Sequence, residues 1–272
     1  MKYKKSFTSS RIYQLISKEK VEYLRYYFDF LWAMTEKEIK ARYKKAVFGF
    51  LWVILNPILQ MVVIGLIFSY FIKIPNYFLF LFSGLLPWQF FSLSLSKATP
   101  SIVYERTLLQ KARFPIEAIP LSLILSNFIN MIISFVLLII VLSFWQKVIF
   151  PQILLLIPAL LWLLIFTIGL SLLTTSLNVK WRDVSFFIQT VLILWFYATP
   201  ILYHLSLIPR ILHPVFNLNP LTSVFELVHI SLINQGFLDF QTLLLNLLLT
   251  IIVLIAGILV FRKESKYFSD WL

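Results

Sequence analysis

Three charged side chains, Lys180, Arg182 and Asp183, fall within four positions in the segment NVKWRD (178–183), between two long uncharged runs. The chain has 272 residues, of which 60% are hydrophobic and only 13% charged. Asp183 is well placed to cap a helix beginning at Val184, and that duty outweighs a catalytic one. Glu226 and His229 stand at i and i+3, a spacing that can present two metal ligands on one helix face. A hydrogen-bonded pair at an interface is the plainer reading. His204 and His213 are the other histidines, and the absence of cysteine removes thiolate ligands and thiol catalysis. The sequence holds no H-E-x-x-H, no G-x-S-x-G and no Gly-rich phosphate loop. None of its six glycines precedes Lys-Ser or Lys-Thr, which excludes ATP hydrolysis through a Walker motif.

The elements around these residues are long and apolar. A soluble core could not hide so much hydrophobic surface at this length, so the solvent is a bilayer. Six uncharged runs, near 46–72, 78–96, 118–146, 151–178, 184–204 and 240–261, are long enough to cross about 30 Å of hydrocarbon. The fold class predicted is an all-α integral membrane protein with six transmembrane helices. With the N-terminus inside, 21 of the 24 Lys and Arg lie on the cytoplasmic face, leaving Lys73, Lys147 and Arg210 outside. That asymmetry sets the orientation, with both termini cytoplasmic. The net charge of +12 is therefore a topology signal, and nucleic acid is not an expected partner. No ionisable group lies inside the runs except His204 at an edge, which disfavours proton-coupled transport.

The first long apolar run begins near Ala46, later than the h-region of a signal peptide, so residues 1–45 are expected to remain as a cytoplasmic extension. Residues 1–18, basic and Ser-rich, are expected to be poorly ordered. From Glu19, Val21, Leu24, Phe28, Leu31, Thr35 and Ile39 recur at helical spacing opposite charged residues, which predicts an amphipathic helix lying in the membrane interface. Pro57 predicts a kink in the first span. In the loop after the second span, YERTLLQKARF (104–114) predicts a short helix with Leu108 and Leu109 on one side and Arg106, Lys111 and Arg113 around it. Pro115 closes that helix. Residues 205–239 are hydrophobic, yet Pro209, Pro214 and Pro220 cut them too short to span. Two half-helices dipping into the outer leaflet over 205–233 fit best, and imply a cavity or pore mouth there. A hydrophobic surface loop is the alternative.

Several segments then fall in a familiar order: RYKKAVFGFLWVILNPILQMVV (42–63), LLQKARFP (108–115), IPLS (119–122), NVKWRD (178–183), ATPILY (198–203) and NPL (219–221). Over roughly residues 20–265 the chain resembles the ATP-binding-cassette permeases that export lipid-linked polysaccharides such as O-antigen, capsule and teichoic acid. The resemblance implies a homodimer of six-span subunits in the bacterial plasma (inner) membrane, above two separate ATPase subunits. ATP and Mg would bind to those partners, and no cofactor or metal to this chain, which would not itself be an enzyme. It implies a coupling helix near 105–114 and paired re-entrant gate helices before the last span. On that frame Glu105, Arg106, Leu108, Leu109, Lys111 and Arg113, with Lys180, Arg182 and Asp183, are the expected ATPase-docking residues. Aromatic faces suit a sugar path because they meet its C–H faces without gripping one hydroxyl pattern. Phe48 and Trp52 in the first span, and Phe196 and Tyr203 in the fifth, are the expected channel residues, since those spans adjoin the pore in the resembled family. Rival readings are a permease of the same fold for a drug or small lipid, a membrane enzyme acting on a polyprenyl carrier, and a non-transporting scaffold.

Overall fold

The computed structural model describes residues 6–44, 47–111, 114–145, 150–236 and 239–272, and over them the chain is helical without strands. Helix α1 is Ser6–Tyr43, α2 Trp52–Phe68, α3 Tyr77–Tyr104, α4 Arg106–Lys111, α5 Ala118–Trp145 and α6 Phe150–Ile153. Then come α7 Leu156–Lys180, α8 Val184–Tyr197, α9 His213–Asn217, α10 Pro220–Ile233, α11 Phe240–Glu264 and α12 Phe268–Trp271. Among the described residues four segments are long and apolar enough to cross a membrane: Tyr77–Tyr104, Ala118–Phe144, Leu156–Lys180 and Phe240–Tyr267.

The other two expected spans form shorter helices than their sequence runs. The run near 46–72 gives α2, of 17 residues, because Gly49 sits at φ +49° and a 3₁₀ turn, Gly49–Leu51, precedes the helix. The run near 184–204 gives α8, of 14 residues. Pro200 has no N–H to continue the ladder and turns Thr199 away from helical geometry. Asn76, left-handed at φ +53°, starts α3 after the outer turn.

The core is built around α3, with Phe80, Leu81, Phe91, Leu95 and Ala98 fully buried against α5, α7, α8 and α10. Its contacts with α7 are polar as well as apolar. Thr99 and Thr174 hydroxyls stand 2.9 Å apart, and Thr175 donates to the Ala98 carbonyl at 2.8 Å. Such side chains stitch helices where no water competes. Helix α11 lies on α7 through two glycines. A Cβ on Gly257 would fall 2.0 Å from the Gly169 carbonyl oxygen, and one on Gly169 would fall 2.5 Å from Leu254 Cα. Only glycine permits that approach. Trp162 Nε1 adds a bond to Thr250 Oγ1 at 2.7 Å.

Two expectations for the termini of the pattern change. The N-terminal stretch expected to be poorly ordered is helical from Ser6. The apolar stripe of α1 divides: Leu31 and Thr35, with Met34, are buried where α1 packs on α5, while Val21, Leu24 and Phe28 stay exposed. The segment 205–233, expected as two half-helices or a surface loop, holds two short helices of unequal length after an exposed stretch. It forms two 3₁₀ turns, the five-residue α9, and α10, whose Leu221, Val224, Phe225 and Val228 are fully buried in the core.

Candidate functional site

One end of the helical layer gathers the docking candidates. Glu105 ends α3 and pairs with Lys37 of α1 at 3.1 Å. The short helix expected over 105–114 is α4, six residues long, with Arg106 and Thr107 exposed and Leu108 and Leu109 half-buried. Leu109 packs on a cluster of its own chain made by Ile102, Leu172, Val179, Phe261 and Phe268. Lys111 is the last residue of α4, and Arg113 lies outside the described residues. Lys180, Arg182 and Asp183 are exposed at the α7–α8 turn. Lys180 Nζ lies 4.7 Å from the Trp181 ring centre and 5.6 Å from that of Trp271. The C-terminal segment thus folds back onto the α7 end, an apposition that no local sequence signal announces.

Asp183 does not cap α8 with its carboxylate. Its φ of −67° and ψ of −17° are helical, whereas a capping side chain needs extended backbone to reach forward. Asn178, from the end of α7, accepts the Ser185 N–H at 3.0 Å instead.

The channel candidates do not share one surface. Phe48 precedes α2, yet its ring meets Trp52 edge-on at 5.8 Å. Phe196 packs between Trp88 at 5.4 Å and Tyr197 at 5.2 Å. Tyr203 lies beyond the end of α8, not two helical turns along it. Its hydroxyl donates back to the Tyr197 carbonyl, and its ring faces Phe216 at 6.3 Å.

Of the four, Phe196 lines a groove of about 540 Å³ between α2, α3 and α8, whose amide and hydroxyl residues the choices missed. Gln60, Gln89, Ser92 and Gln189 alternate there with Trp88 and Phe196. It carries no ionisable group except the Tyr197 phenol among its lining residues. Amides and hydroxyls offer donors and acceptors together, and the rings offer flat apolar faces. That combination suits a polyhydroxylated solute sliding past without a fixed register. The three glutamines stand out in the sequence only once α2, α3 and α8 are known to meet.

On α10, Glu226 and His229 do not form a two-ligand face. His229 is fully buried with its ring stacked 3.9 Å from Phe80, whose other neighbour is His204 at 4.4 Å. Glu226 lines a separate cavity with His213 and Asp239. Gly236, at φ +136°, passes so close that a Cβ would lie 2.6 Å from Glu226 Oε2. Asp239 caps α11 through the Thr242 N–H at 3.0 Å and hydroxyl at 2.9 Å, which hold its carboxyl below its ordinary range. Among the described residues no group of three His, Asp or Glu could hold a metal.

Comparison with known proteins places this architecture. Residues 29–233 match the family of ABC-2 type transporters. The O-antigen export system permease protein RfbA of Myxococcus xanthus is 32% identical over 262 residues, covering 92% of this chain and 98% of the relative. A protein of the same name from Klebsiella pneumoniae is 33% identical over 259 residues, covering 91% and 96%. With three-quarters of its length inside the family match and relatives aligned nearly end to end, the chain belongs to the ABC-2 type transporter family as a multi-pass membrane protein.

Proposed function

We propose that this chain is the membrane subunit of an ATP-driven exporter that moves a lipid-linked polysaccharide of the O-antigen type from the cytoplasmic face across the plasma membrane. The groove between α2, α3 and α8 carries this reading: amide, hydroxyl and aromatic side chains line a path without charge inside an apolar helical layer. The relatives' names point to the same cargo class. Six helices, α2, α3, α5, α7, α8 and α11, make the crossings, with α10 dipping in from the outer side and both termini cytoplasmic. Two copies face each other across the path, and a separate ATPase subunit docks beneath each. The ATPases bind ATP and Mg and push on α4 and the 181–183 turn. The chain supplies a conduit and a docking face and performs no chemistry itself.

Depleting the protein in its host and measuring lipid-linked glycan on each side of the membrane tests this. Finished carrier-linked polymer should accumulate inside while the same polymer disappears from the surface. Normal distribution, with no second exporter present, would overturn the reading in favour of a small-substrate permease. Loss without accumulation would point to a synthetic enzyme. Within the groove, Gln189→Leu should slow export roughly fivefold, the worth of about one hydrogen bond, at unchanged protein level in the membrane.

A further inference from the structure

A second cavity, of about 280 Å³, lies on the other side of α2, between α2, α3 and α5. Its lining combines two cations, Arg42 from the end of α1 and Lys97 from α3, with the amides Asn127 and Asn130 of α5. Arg42 is held in place: its Nη2 donates to Asn127 Oδ1 and lies 3.5 Å from Ser126 Oγ, while Asn127 Nδ2 donates to Ser94 Oγ at 3.1 Å. Two groups are left over. The buried Nε of Arg42 and both polar atoms of the Asn130 amide, a residue only 6% exposed, have no hydrogen-bond partner. Unpartnered donors are rare in a folded interior and point to an absent acceptor. Lys97 is exposed at the mouth, and Glu38 shares with it the adjoining hollow rather than this cavity.

This cavity has a neighbour on each side. Through Ser134 it adjoins an apolar groove of about 690 Å³ lined by residues such as Ile58, Met61, Phe82 and Leu138. Through Gln89 and Leu93 it adjoins the amide groove described above. The order is therefore hydrocarbon, then cations with free donors, then amides with aromatic rings. A glycosylated lipid phosphate has the same order: chain, anion, sugar. A membrane phospholipid would occupy the first two compartments and leave the third empty.

We propose that the cavity around Arg42, Lys97 and Asn130 seats the phosphate of the lipid carrier, with its chain in the apolar groove and its first sugars directed toward the amide groove. This rests on the exporter reading and assigns its loading site to residues. Guanidinium and ammonium bond phosphate oxygens directly, and the orphaned amide supplies a further donor. A hydrogen bond stands at the boundary between the headgroup cavity and the sugar path: Gln89 Nε2 donates to Gln60 Oε1 at 2.9 Å, joining α3 to α2. Helix α2 buries only Pro57 and Gly65. It is lightly held, so parting this glutamine pair joins the two compartments with little cost to the core.

The test uses the full chain in lipid nanodiscs and a farnesyl diphosphate bearing a benzophenone on its chain, with the labelled residues mapped by mass spectrometry. Labels are expected on the groove walls of α2, α3 and α5, displaced by unlabelled farnesyl diphosphate. Lys97→Gln, at an exposed position that leaves the fold intact, should weaken labelling about tenfold, as loss of one charge-assisted bond does. Asn130→Asp, which puts a carboxylate beside the anion, should abolish it. Equal labelling by the neutral farnesol analogue, equal displacement by phosphatidylglycerol or by inorganic pyrophosphate, or undiminished labelling of Lys97→Gln would each overturn the assignment. If labelling fails while depletion still strands polymer inside the cell, the pocket is wrong and the exporter reading stands. If depletion leaves surface polymer intact, both fall.

Discussion

Asn219 shows what a single side chain does here. Its Oδ1 accepts from Trp195 Nε1 at 2.9 Å and from the Leu221 N–H at 3.1 Å, and its Nδ2 donates to the Ala198 carbonyl at 3.1 Å and to Thr199 Oγ1 at 3.0 Å. One amide thereby ties the end of α8 to the start of α10. At about 1 kcal/mol per bond, Asn219→Ala should cost roughly 2–4 kcal/mol, read as a lowered melting temperature of the detergent-solubilised protein. Asn219→Asp should fall between, because it keeps the acceptors and loses the donors. The NPL segment was legible as a motif, but not this role, since three of its partners lie 20 to 24 positions away. Asp183 is the reverse case. Its type and place before Val184 suggest a cap, and its helical dihedrals deny it, a backbone property that residue identity does not carry.

At the scale of elements, α4 presents two adjacent leucines with different duties. Leu109 packs on the Phe261 and Phe268 cluster, whereas among the described residues Leu108 stands outside that cluster. Leu109→Ala should therefore cost about 1–2 kcal/mol of stability, in proportion to its half-buried side chain. Leu108→Asp should leave melting unchanged and abolish stimulation of the partner ATPase. Equal melting losses in both variants would remove Leu108 from the docking surface. Hydropathy runs located α2, α3, α5, α7, α8 and α11. They overestimated α2 and α8, because a run counts apolar residues while Gly49 and Pro200 decide where helical geometry stops. Periodicity also traced the stripe of α1 correctly as a pattern, but it could not say that only the half near Leu31 meets α5.

For the whole molecule, the distribution of cations predicts the sidedness, and the lack of native cysteine makes it measurable. In right-side-out vesicles, Ser206→Cys should react with a membrane-impermeant maleimide, while Thr107→Cys and Asp270→Cys should react only after permeabilisation. Reaction of Thr107→Cys from outside would invert the docking face and end the coupling reading. Long-range order was the part the sequence withheld. The placing of α3 at the centre, the return of Trp271 to Lys180, and the three compartments on either side of α2 all depend on which helix faces meet. The glutamines of the groove are far apart in the chain and ordinary one by one, so aromatic content drew attention to the rings and missed the amides between them.

The shortness of α2 and α8 has a consequence for the lipids themselves. At 1.5 Å per residue they measure about 25 Å and 21 Å, against about 30 Å of hydrocarbon. Both flank the amide groove. On the proposed six-span reading, the bilayer beside them thins to match, at a cost of a fraction of a kcal/mol per Å. On that reading the protein sits in a dimple that lies against the proposed conduit, where a polar headgroup has less oil to cross. Thicker membranes should resist that dimple, so transport by this chain should slow as lipid chains lengthen.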